Sequence, residues 1–140
     1  MIGQITVDDV RAKVQSQLPR KVDTLDLEFF DNEIRQVDDY IVIGRDWGAE
    51  FRVDVATGRV TAVTTSGTPV SWYVNSGIEQ LAACIEVHNN VRAVEGECKD
   101  DDHKWHAALQ LMLADVARID TSATAVAGNW WPMLAESLMI

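Results

Sequence analysis

Between residues 6 and 18 the apolar positions Val7, Val10, Val14 and Leu18 recur at helical spacing, with Asp8, Asp9, Arg11 and Lys13 between them. This stripe predicts an amphipathic helix, with Thr6 offering an oxygen to first-turn amides in a capping-box spacing to Asp9 and Pro19 stopping the helix. Residues 24–30 and 39–44 then read as extended, the second a β-branched run suited to a buried strand. Alternation is clearest at 49–54, where Phe51 and Val53 oppose Glu50, Arg52 and Asp54. A turn over 54–58 follows, in which Gly58 supplies the left-handed backbone that closes a short hairpin, and residues 59–65 resume the strand. Residues 66–69 turn the chain again and 70–74 form the next strand. Every connector is too short for a crossover helix, so the sheet is predicted to be an antiparallel meander.

At Asn75 the period lengthens. Asn75 and Ser76 are the expected caps of a second helix, whose stripe of Ile78, Leu81, Ala82 and Ile85 runs to about residue 89. The acidic stretch 95–101 reads as a loop. A third helix over 102–119 carries Trp105, Ala108, Leu109, Met112, Val116 and Ile119 on one face, with Asp100, Asp101 and Asp102 at its start and Arg118 near its end opposing the helix dipole. After a break at 120–124, residues 130–138 form a short last helix beginning near Pro132. The expected fold is α+β, an antiparallel β-meander sheet flanked by an N-terminal helix and C-terminal helices, in one domain over residues 1–140.

Charge changes the picture more than composition does. At 47% apolar, 140 residues hold enough core to need no staples, and Cys84 and Cys98 alone build no disulfide framework. Asp8 and Asp9 stand where a signal peptide would be apolar, and no run approaches a membrane span, so a cytoplasmic location is expected. Twelve bases against 22 acids leave a net charge of −10. That field argues against nucleic-acid binding and against docking on an anionic membrane. Acids concentrate at 22–39, where seven face the single base Arg35, and at 95–102, where five face Lys99. Such surfaces either keep a protein soluble or attract a basic partner.

Catalytic patterns are missing: there is no Gly-rich phosphate loop, no GxSxG and no HExxH. His103 and His106 have a tolerable metal-ligand spacing but read as solvated or boundary residues beside a helix start, and His88 as a boundary residue of the second helix. Carboxylates crowd Cys98, a poor setting for a nucleophile. No catalytic residue, metal or cofactor is expected, and the chain is not read as an enzyme. Among the tryptophans, Trp72 and Trp105 fall on core stripes. Trp47 has no apolar companions and is expected to be exposed. Trp130 and Trp131 cannot point the same way, which leaves one as a candidate surface anchor.

The order of three motifs resembles a known family. Val53-Asp54 with Thr57-Gly58-Arg59-Val60 is similar to its "ID-x-x-TG-x-V" hairpin. Tyr73-Val74-Asn75-Ser76 is similar to its "(F/Y)-V-N-S-S" helix start, with Gly77 where a second Ser is usual. Trp130-Trp131-Pro132 fits its tryptophan-containing terminal helix. Over residues 39–138 the chain thus resembles the fourth subfamily of the SUKH superfamily, the immunity proteins of bacterial polymorphic toxin systems. The resemblance implies an α+β domain that binds and inactivates a cognate toxin, often a nuclease, through its surface. Joined to the charge, it predicts a protein that is a monomer when free and occludes a basic nuclease with an acidic face. The alternative is a non-catalytic interaction domain for an endogenous partner. The partner-binding residues are expected to be Asp26, Glu28, Asp31, Glu33, Asp38, Asp39, Asp46 and Glu50 near the sheet's leading edge, with Trp47 as anchor.

Overall fold

A computed structural model describes residues 4–139. Helix α1 (Val7–Gln17) begins where expected: the Asp9 amide donates to Thr6 Oγ1 at 3.2 Å, and Val10 and Val14 are buried. Seven strands follow: β1 (Lys21–Val22), β2 (Leu27–Phe29), β3 (Arg35–Val37), β4 (Tyr40–Arg45), β5 (Ala49–Asp54), β6 (Val60–Thr64) and β7 (Ser71–Asn75). They form one antiparallel sheet in the order β1-β2-β4-β5-β6-β7, with β3 also pairing β4 along the edge that β4 shares with β2. The expected meander is therefore present. The extended stretch at 24–30 is divided, however: residues 23–25 make a 3-10 turn, and Asp26 adopts left-handed backbone at φ 49° before β2 starts.

Helix α2 (Ile78–Ala93), α3 (Asp102–Ile119) and α4 (Trp130–Leu138) complete an α+β fold. Alternation in β5 buries Ala49, Phe51 and Val53 in the main core, while Glu50, Arg52 and Asp54 face the other way. On that outer face Arg52 stacks 4.1 Å over the Tyr40 ring and pairs with Glu50 at 2.6 Å. Behind the first helical layer, Leu109 and Met112 of α3 pack on Ala135 of α4. Edge-on aromatic contacts then link the layers: Phe29 to Phe51 at 6.2 Å, Phe51 to Trp130 at 5.6 Å, and Trp130 to Trp131 at 4.8 Å.

Gly58 and Gly44 are required by the geometry of the sheet. Gly58 lies at φ 79° in the β5–β6 turn, as the hairpin reading expects. At Gly44, beside the β4 bulge, a Cβ would overlap the backbone carbonyl oxygen of Glu28, so glycine lets β2 approach β4. Residues 95–98, expected as loop, form a 3-10 turn that buries Cys98. No described helix is long and apolar enough to cross a membrane.

Candidate functional site: an acid-rimmed groove at one end of the sheet

The β4–β5 turn is built by one carboxylate. Asp46 Oδ1 accepts the Gly48 and Ala49 amides at 3.0 and 2.8 Å, an arrangement open to a short acidic side chain at a turn's first position. The turn thrusts Trp47 outward, 93% exposed. Beside it the 3-10 turn brings Thr24, Leu25 and Asp26, and α4 lies across the end of the sheet. Together these segments enclose a groove of about 510 Å³, floored by Ala49, Thr64 and Trp72 and walled by Trp130, Met133, Leu134 and Leu138. Positions 130, 133, 134, 137 and 138 share one helical face, and all five line the groove.

What turns that face toward the groove is a buried polar network. Trp131 is fully buried, and its Nε1–H donates to Asn75 Oδ1 at 2.9 Å. Asn75 Nδ2 in turn donates to Asp120 Oδ2 at 2.9 Å, and the same carboxylate accepts the Ser76 amide and the Ser122 hydroxyl, each at 2.8 Å. Burial pushes the Asp120 carboxyl up, but these hydrogen bonds outweigh it and hold the group below its ordinary range. With Trp131 pinned inward, Trp130 is rotated to the groove side. The expectation that one of the pair faces outward is met by Trp130, half-buried rather than fully exposed.

The network corrects the role given to Asn75. It does not cap α2, whose N-cap position is Gly77 without a side-chain bond. Asn75 is the last residue of β7, and its amide group serves as both donor and acceptor to two distant elements, a use that helical spacing cannot reveal. Cys84 adjoins the same network; burial pushes its thiol up to about 11, so it stays protonated at neutral pH. His88 is corrected too: it is fully buried rather than at a boundary, with burial lowering its basicity and Nε2 left without a hydrogen-bond partner. His106 meets the Met139 carbonyl at 2.9 Å, and Trp105 donates to that of Leu138 at 2.8 Å. No group of three or more metal-ligating side chains occurs among the described residues.

The nine residues expected to bind a partner are not one cluster. Asp26 and Asp46 rim the groove, and Trp47 stands between two of its lining residues. Asp38 and Asp39 sit in the β3–β4 turn, a full strand away, about 17 Å for five residue steps. Glu28 and Glu50 lie on either side of Arg45 in the strand register, and Glu50 is held by Arg52. Asp31 is bound by Arg20 and Gln15 beside α1, and backbone amides of Glu33 and Asp31 hold the Glu33 carboxyl below its usual range. The groove's apolar lining is not legible in the sequence, where Trp72 reads as core and nothing sets the facing of the last helix. The adjacent tryptophans were the one available signal.

The SUKH-4 immunity protein family matches residues 8–137. The chain belongs to this family. No curated protein and no solved structure matches the chain. The match runs from α1 into α4, so it takes in the groove and the network that orients it. Two of the three SUKH-4 motifs meet in that network through Asn75 and Trp131, and the third holds the β5–β6 turn through Gly58. They specify the scaffold. SUKH-4 proteins are immunity proteins and generally non-catalytic, which supports an immunity function and implies a cognate toxin as partner.

Proposed function

We propose that this SUKH-4 chain acts in the cytoplasm, as a free monomer in one domain, to bind a basic nuclease toxin of a polymorphic system and occlude its active site with an acidic surface. The observation that carries this reading is the charge: −10 overall, with acids gathered at 22–39 and at the β4–β5 turn. A nuclease must present a basic cleft to hold phosphates, so an acidic inhibitor meets it with a complementary field. Such steering acts at a distance and includes residues outside the contact itself, Asp38 and Asp39 among them.

The test is association kinetics with the toxin encoded directly upstream of this chain's gene. Reversing Asp38 and Asp39 to Lys should slow association about tenfold at low salt and flatten its salt dependence, with dissociation little changed. Reversing Asp100 and Asp101, at the start of α3 where Asp101 also accepts the Lys104 amide at 3.0 Å, should do less. Loss of protection from the second pair with the first pair silent would place the interface on the helical side. A toxin without nucleolytic activity would overturn the nuclease reading.

A further inference from the structure

Resting on the immunity reading, we infer that the groove between the β4–β5 turn and α4 is the docking site for a segment of the toxin carrying an apolar side chain beside a Lys or Arg. The groove's apolar walls and volume of about 510 Å³ suit one or two large side chains. Its rim decides the flanking chemistry: Asp26 and Asp46 are the charged residues lining it, and no Lys, Arg or His is among them. A cation next to the inserted group would meet two carboxylates and no repelling base. The same charge disfavours a second copy of this chain, because two such rims on two −10 molecules would face each other.

Two side chains in this place are otherwise hard to explain. Trp47 is 93% exposed and Met133 is 45% exposed, one beside the rim and one in the wall. The Asp46 bonds already hold the backbone of this turn, so covering Trp47 costs chiefly side-chain freedom, and exposed aromatics of this kind are the usual anchors of binding energy. Asp46 fixes that turn and also lines the groove, so one residue both presents the anchor and contributes to the rim.

The experiment measures binding of the upstream-encoded toxin to the full chain and to three variants, Trp47→Ala, Met133→Lys and Asp26→Lys. All three alter exposed side chains, and thermal melting checks that each remains folded. Trp47→Ala should raise the dissociation rate about tenfold or more, the range of an interface hot spot. Met133→Lys should do the same by placing a like charge against the toxin's cation. Asp26→Lys should weaken binding and make it less salt-sensitive. Tight binding by the original chain with unchanged dissociation from Trp47→Ala and Met133→Lys would overturn the groove assignment and leave the immunity reading standing. No binding by the original chain would overturn both. A concentration-dependent dimer abolished by Trp47→Ala would show that a second copy fills the groove instead.

Discussion

Asn75 ties together three separate parts of the chain with one side chain. Its amide joins the end of β7 to Asp120 after α3 and to Trp131 in α4, and both partners are buried. Removing it leaves the Trp131 N–H without an acceptor and the Asp120 carboxylate short of a donor, each inside the protein. Asn75→Ala is therefore expected to cost about 3 kcal/mol, against ~1 kcal/mol for the loss of a helix cap. Urea unfolding distinguishes the two values, and a loss near 1 kcal/mol would restore the capping role. Because Trp131 sets the rotation of α4, the variant should also perturb the environment of Trp130, read by near-UV circular dichroism.

At the scale of elements, the groove depends on β2 lying close against β4. Gly44 permits that approach, with the Phe30 amide donating to the Ile43 carbonyl at 2.8 Å beside it. Adding one methyl at Gly44 forces a backbone-to-side-chain overlap that no rotamer relieves. Gly44→Ala should destabilise the fold by about 1–3 kcal/mol, the usual range for overpacking. The local signature is sharper: the Phe30 amide should lose hydrogen-exchange protection while amides of the β5–β6 hairpin keep theirs. Uniform loss across the sheet would mean that β2 is not an independent flap of the structure. The turn at 23–25, which forms one wall of the groove, hangs on this strand, so toxin affinity should fall along with Phe30 protection.

For the molecule as a whole, pH acts through two buried groups with opposite chemistries. His88 is held neutral by burial, so its folded basicity lies below the ordinary 6.5 and only the unfolded chain takes up the proton there. Stability should therefore fall as the pH drops from about 6.5. Asp120 is depressed below its ordinary 3.8, so its contribution is present above that value and is lost as the pH falls through the folded value. Denaturant midpoints measured from neutral pH downward should decline in two stages, the first flattened by His88→Leu. An unchanged first stage in that variant would assign it to other groups. Acidification also weakens the acidic field, so toxin association should slow over the lower stage.

Local patterns determined much of this protein. Period and turn chemistry gave α1, the β5–β6 hairpin, the meander and the positions of α3 and α4, because those signals depend on neighbours within a few residues. Counting charges gave an acidic net field without any fold, since net charge is a property of composition. The motif order pointed to the family; of its residues Gly58 is demanded by a local geometry, whereas Asn75 and Trp131 serve the buried network. Only the tertiary structure decided that Asn75 bridges three elements instead of capping one, that His88 is interior, and that the acids from 26 to 50 divide between the two ends of β4. It alone made the groove, which draws on residues 24 to 138. Such a surface exists only after the sheet end, the turn at 46–49 and the last helix are packed together, and hydrophobic positions that line it carry the same local pattern as those that fill a core.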